Sequence, residues 1–360
     1  MVSDDSSGNG ASAFEHLLDS TTEADNQNRV NGPGPGPRKR SLKTKLTLSD
    51  LIFRVIARAG GSVVLILMIM VGTFLGYRAA QALRVAGWSF FTTQQWNPDG
   101  GAFGIEALIV GTFLIATVAI VVGVPLSLAT ALYISEYAPQ RVKRVLISMI
   151  DLMAAVPSVI FGLWGFFLLQ WKLTTLARWL SSWFYWIPLF QVNGVQRNNP
   201  LTSPDTYTSS SFAAGLVVAL MITPIISSVM REAFSQAPAG EREGAFALGA
   251  TRWGMIRAVV LPFGKGAMIG GTMLGLGRAL GETLAVTLII SPVYALQLHI
   301  LQHGTSSISA LIALNYQETS QFGISALFAA GLALFVVTLL VNFIAAQIVA
   351  RSRSGAQSEA

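Results

Sequence analysis

The sequence predicts an all-α polytopic membrane protein with six transmembrane helices. Three observations predict it. Apolar residues make up 52% of the 360-residue chain and charged residues only 12%, against about 25% in soluble domains. Apolar runs long enough to cross a bilayer recur six times along the chain. Basic residues concentrate in alternate loops, as expected where they anchor the cytoplasmic ends of membrane helices. Cysteine is absent, which excludes disulfides and thiolate metal sites, and His16, His299 and His303 are too scattered for a persuasive metal site. The net charge of +6 follows this loop distribution, so it points to a lipid bilayer as partner and not to nucleic acid.

Residues 1–48 read as a disordered cytoplasmic tail. The segment is Ser/Asn/Gly-rich, contains a Gly-Pro repeat at 32–37, and cannot bury enough apolar surface to fold. It ends in Arg38, Lys39, Arg40, Lys43 and Lys45. Two readings of this cluster stand: a positive-inside anchor or a regulatory contact with lipid or protein. Span 1 is expected at about 60–78, followed by an interfacial aromatic segment and a turn at Asn97-Pro98-Asp99-Gly100-Gly101. Span 2 is expected at about 106–134, kinked at Pro125, with a charged loop over 136–144.

Span 3 is expected at about 146–169 and carries Pro157 and Ser158. A proline there frees a backbone carbonyl, so it marks either a packing kink or a cavity-lining break. Residues 172–210 read as an extracytoplasmic insertion with a short helix near 176–186, either on the surface or re-entrant. Spans 4, 5 and 6 follow at about 211–230, 265–290 and 322–349, with an external polar loop before the last. The membrane domain thus covers 49–353 and leaves a short tail, 354–360. With the N-terminus inside, inner segments hold 18 of the 24 lysines and arginines. Both termini are therefore expected in the cytoplasm.

The most specified stretch is 238–262, between spans 4 and 5. Pro238 suits a helix start. Glu241 and Glu243 suit the positive end of its dipole. Gly249 suits a C-terminal cap and Thr251 the N-cap of a second helix, which Leu261-Pro262 would end. Two short helices meeting at a bare glycine corner offer a close approach to another protein. A plain surface loop explains so specified a turn poorly.

Glu243-Gly244-Ala245, three residues, Gly249, nine residues, then Val259-Val260-Leu261-Pro262 resembles the EAA loop of ABC importer permeases. The chain departs from the usual form at Gly244, where alanine is usual, and at Val259, where isoleucine is usual. The runs Ala247–Trp253 and Gly275–Thr283, with Ala154-Ala155-Val156-Pro157-Ser158, resemble the permease subunits of phosphate ABC importers, the PstC family more than its PstA relatives. The similarity covers about residues 50–350. It implies the MetI-like permease fold in a bacterial cell membrane. It also implies three partners: an ABC ATPase subunit (PstB-like), a homologous permease (PstA-like) and an extracytoplasmic phosphate-binding protein (PstS-like). Glu243, Gly249, Ala250, Leu261 and Pro262 are the candidate ATPase-coupling residues.

Arg278 and Glu282 are four apart and would share a helix face within span 5. An ionisable residue at mid-membrane costs about 2.5–3.5 kcal/mol on insertion scales. Two readings stand: a structural ion pair, or an element of an anion path in which Glu282 keeps Arg278 from trapping phosphate. Arginine suits phosphate because its planar fork donates two parallel hydrogen bonds. The candidate pathway or gate residues are Arg278, Glu282, Thr283, Pro157 and Ser158. Gly266/Gly270, Gly271/Gly275 and Gly277/Gly281 are spaced for close helix packing.

The phosphate-binding loop G-x-x-x-x-G-K-[ST] is absent from the sequence. No catalytic residues are expected, and the chain should bind no cofactor, with ATP and Mg on the partner ATPase. The expected function is a permease subunit of an ATP-driven phosphate importer. The alternatives are a permease for sulfate or molybdate, or an ion-driven transporter or channel.

Overall fold

The computed structural model describes residues 48–194, 202–317 and 319–353. The tail expected over 1–48 lies outside them except for Leu48, as does the C-terminal tail 354–360. Residues up to Leu65 form one compact unit and residues from Ile66 onward another. The described part of the first unit, 48–65, is helical, and its side chains are exposed.

Helix α1 is Leu48–Ala86, longer at both ends than the apolar run alone suggests. The turn after it closes a two-residue antiparallel pairing, Trp96–Asn97 with Ala102–Phe103, the single strand pair among the described residues. Its tip is the expected one: Gly101 has φ +77°, a conformation glycine adopts without penalty, and donates to Pro98 O at 3.0 Å.

The core is built by α2 (Glu106–Leu132), α6 (Ser211–Ser235) and α9 (Leu261–Gly281). Helix α6 is central, with 72% of its most apolar stretch buried. It lies along α2 through Val118, Ile222 and the bond from Ser127 Oγ to Thr223 O at 3.2 Å. It meets α9 through Gly271 and Gly275, where a side chain at Gly275 would overlap Ile226. Of the glycine pairs expected to form close seams, Gly271/Gly275 does so. At Gly270 and Gly281 a side chain would meet nothing, and Gly277 faces Asn342 instead.

Span 3 differs from expectation. Helix α3 (Gln140–Ala155) stops at Val156 and Pro157, both extended, and has no buried residue. Helical structure resumes as α4 (Ser158–Trp164), a widened turn over Gly165–Leu169, and α5 (Gln170–Trp183). The helical run long and apolar enough to cross is therefore Ser158–Trp183, not 146–169. The reason is local: proline bars the preceding residue from helical geometry and offers no N–H. The separate helix expected near 176–186 is in fact the end of this run.

Helices α7 (Ala239–Ala247) and α8 (Arg252–Met255) form the expected corner. Leu261-Pro262, however, does not end the second helix. A widened turn over Ile256–Val260 leads from α8 into α9, and the helical run Arg252–Gly281 is continuous. In an i→i+5 turn the ring of Pro262 has room and its missing N–H is not needed. Span 5 in turn ends early, at Gly281. Glu282 is extended, and a short helix, α10 (Leu284–Ile289), follows.

The segment between α10 and α11 (Ile308–Asn315) was expected to be an external polar loop. Much of it is buried. Ile300, Leu301 and Thr305–Ser307 are almost fully covered, and Ile300 exchanges backbone bonds with Leu189 and Phe212. The last helix, α12, is Gln321–Arg353. Among the described residues, six helical stretches are long and apolar enough to span a membrane.

Candidate functional site

Two regions gather the candidate residues. The first is the α7–α8 corner. Pro238 stands one residue before α7, in extended geometry, and its carbonyl accepts from Arg242 N. The helix closes as its sequence predicts: Leu248 N donates to Gly244 O, Ala250 N to Ala245 O, and Gly249 has φ +83°. Thr251 Oγ1 accepts from Gly254 N at 3.1 Å, the N-cap of α8.

The corner projects outward. Leu248 is 91% exposed, Phe246 and Trp253 are about half exposed, and a side chain at Gly244 or Gly249 would meet nothing. Glu243 is exposed as well, while Ala250 and Leu261 are half-buried and Pro262 is exposed. Exposed apolar residues around a bare glycine make a surface that another chain can cover.

One contact under the corner was not legible in the sequence. Arg242 Nη1 lies 3.2 Å from Glu136 Oε2, with the Glu136 side chain 4% exposed. The Arg242 Nη2 atom donates to the Phe234 carbonyl in the last turn of α6. Beside Glu136, the Tyr137 ring lies under the Arg252 guanidinium at 5.4 Å. Glu136 and Tyr137 belong to a widened turn, Tyr133–Tyr137, that ends α2.

The second region surrounds two helix breaks. Helices α4 and α10 run side by side in the same direction, Gly162 against Ala285 and Leu288, Gly165 against Ile289. Their starts, at Pro157-Ser158 and Glu282-Thr283, therefore lie at the same end of this pair.

Arg278 and Glu282 do not form the ion pair that their spacing suggests. The break after Gly281 turns Glu282 away from the α9 face. Its carboxylate, in a residue only 8% exposed, accepts from Ala285 N at 3.2 Å and so caps α10. Its main-chain carbonyl accepts from Ser309 Oγ at 2.8 Å. Thr283 is bonded locally, its hydroxyl to Gly281 O and its carbonyl to Thr287 Oγ1.

Arg278 is exposed and has no hydrogen-bond partner among the described residues. It lines an open cleft of about 680 Å³ between α6, α9 and α12, with Gly277, Gly281, Thr338 and Asn342 on the same walls. The rest of the lining, including Ile225, Leu334 and Phe335, is apolar. A guanidinium with all its donors free beside a hydroxyl and a carboxamide can receive an oxyanion. The apolar part of the lining lowers the local dielectric beside the guanidinium, which strengthens that attraction.

Residues 123–354 match the family described as binding-protein-dependent transport system inner membrane component. Among curated relatives, the phosphate transport system permease protein PstC 2 of Mycobacterium tuberculosis is 40% identical over 295 residues, 81% of this chain and 89% of that protein. PstC of Mycobacterium leprae is 41% identical over 279 residues, 76% of this chain and 85% of that protein. Among solved structures, a bacterial ABC transporter that imports the acidic polysaccharide alginate matches with a TM-score of 0.50 and 20% identity, over 83% of this chain and 98% of that one. That likeness carries the fold alone, and it agrees with the six-span helical architecture. This chain belongs to the inner-membrane components of binding-protein-dependent transport systems, and within them to the PstC family of permeases.

Proposed function

We propose that this chain is the permease subunit of an ATP-driven importer of inorganic phosphate. One observation carries the reading: relatives about 40% identical over four-fifths of the chain are named phosphate transport permeases. A sulfate or molybdate permease has no comparable support.

In this reading the chain pairs with a homologous permease, and the cleft beside Arg278 faces the pathway between them. Arg278 contacts the phosphate in transit. Thr338 and Asn342 share its cleft. Glu282 does not temper the arginine directly. It sets where α9 stops, by capping α10 and by receiving Ser309. Pro157-Ser158 and Glu282-Thr283 are the paired breaks at which the pathway opens and closes.

The α7–α8 corner docks a separate ATPase, through Glu243, Gly249 and Ala250 and the exposed Phe246, Leu248 and Trp253. Leu261-Pro262 carries that contact into α9. ATP and Mg belong to the ATPase, and an extracytoplasmic binding protein delivers phosphate. The chain lies in a bacterial cell membrane with both termini in the cytoplasm, the orientation favoured by its basic loops.

The test is uptake of labelled phosphate by vesicles that contain the whole transporter, with competing anions added. Competition by unlabelled phosphate but not by sulfate or molybdate is expected. Equal competition by sulfate would reassign the substrate.

A further inference from the structure

We propose that the widened turn Tyr133–Tyr137 at the end of α2 is the seat through which the α7–α8 corner moves the membrane helices. Glu136 and Tyr137 are its positioning residues, and Arg242 and Arg252 are their counterparts. The proposal rests on the docking role given to the corner above.

Helix α7 has no buried residue, and its apolar hold on the bundle is the half-buried Ala245. Its placement therefore depends on Arg242. That one guanidinium joins three elements: the end of α2 through Glu136, the end of α6 through the Phe234 carbonyl, and α7 itself. Helix α8 is tied to the same turn by the next residue, through the Arg252 contact with Tyr137. Both helices of the corner thus rest on adjacent residues of one turn. The Glu136–Arg242 contact is the one salt bridge among the described residues.

A buried ion pair is a weak source of stability, because desolvation offsets its attraction. It is a strong source of placement, since a displaced partner leaves a bare charge. Glu136 Oε1, Ser135 Oγ and Arg242 Nε are buried without partners. The seat therefore holds an unused acceptor beside an unused donor, and a small shift of α7 can exchange one Arg242–Glu136 bond for another. Widened turns of this kind recur at functional positions in helices.

What the seat receives has a route onward. Helix α2 runs from the seat to Thr112, whose hydroxyl accepts from Ile308 N at 3.1 Å. The next residue, Ser309, donates to the Glu282 carbonyl. A chain of direct contacts thus links Arg242 to the break after α9, through one continuous helix that carries Pro125 and one buried segment.

The experiment uses the whole transporter in vesicles. It reads three quantities: ATPase subunit retained, ATP hydrolysed, and inorganic phosphate taken up. The variants are Glu136→Gln, Arg242→Gln, the two together, Arg242→Lys and Tyr137→Leu. The double variant leaves no unpaired buried charge, so it tests the idea even where a single one fails to fold. The double variant is expected to keep its ATPase and its hydrolysis while phosphate taken up per ATP falls about tenfold. Arg242→Lys should recover part of that ratio, and Tyr137→Leu should lower it less. A wild-type ratio in the double variant would make the pair a brace and overturn the proposal. Loss of the ATPase from the double variant would overturn it too, by placing the pair in docking. If the wild-type chain itself retains no ATPase, the docking reading fails first and the seat fails with it.

Discussion

A methyl group placed on Gly162 would stand 2.9 Å from the Cα of Ala285. Backbone meets backbone there, so neither side can yield. Gly162→Val should therefore separate α4 from α10, at a cost of about 1–3 kcal/mol for overpacking. The expected readout is less folded protein in the membrane and a lower thermal midpoint. Gly270→Ala, where nothing lies within 4 Å, is the control and should match wild type. Equal stability of both variants would contradict the packing.

Arg278→Ala should leave the protein assembled and reduce phosphate uptake by about 10- to 100-fold, the worth of a hydrogen bond to a charged group. Arg278→Lys should recover part of it, because a point charge lacks the bidentate fork. Uptake is measured at saturating phosphate in vesicles containing the whole transporter. Normal uptake by the alanine variant would remove Arg278 from the pathway.

Glu282 acts on α10 and not on Arg278. Glu282→Ala should cost about 1 kcal/mol, as for other lost helix caps, while Glu282→Gln keeps an acceptor for Ala285 N and costs less. The reversed pair, Arg278→Glu with Glu282→Arg, should rescue nothing. A double-mutant cycle between the two positions should give a coupling below about 0.5 kcal/mol, as for residues that share no contact. A larger value would restore the ion pair.

At Gly249 the backbone has φ +83° with open space around it. Gly249→Leu should cost about 1–2 kcal/mol through left-handed strain alone, with no clash to add. Its larger effect should fall on transport, with ATP hydrolysis continuing while phosphate uptake stops. Unchanged uptake per ATP would exclude the corner as the docking point.

The parts legible in the sequence are those settled over a few residues. The Gly249–Thr251 corner is of this kind, because cap chemistry is local. The ends of spans that meet prolines are less legible. At Pro157 the rule for the preceding residue already ends a helix, and a break there is one of the two readings the sequence allows, but the apolar run across it misplaces the span. At Pro262 a widened turn absorbed the proline, which no spacing announces. The Arg278–Glu282 reading failed because it assumed a continuous helix. What ends that helix includes Ser309, 27 residues further on. Glu136 and Arg242 are 106 residues apart and could not be paired by any periodicity.

The helix that begins at Leu261 reaches Arg278 without interruption. At about 1.5 Å per residue that is a stiff rod of about 25 Å. Its near end adjoins the corner where force from ATP closure would enter. Its far end carries the free guanidinium. A tilt of about 5° about the near end sweeps the far end through about 2 Å over that length. That is enough to break a hydrogen bond to an anion without unfolding a single turn. If Arg278 holds the anion as proposed, the wide turn just before the rod would serve as the pivot, and release of cargo would be a matter of angle.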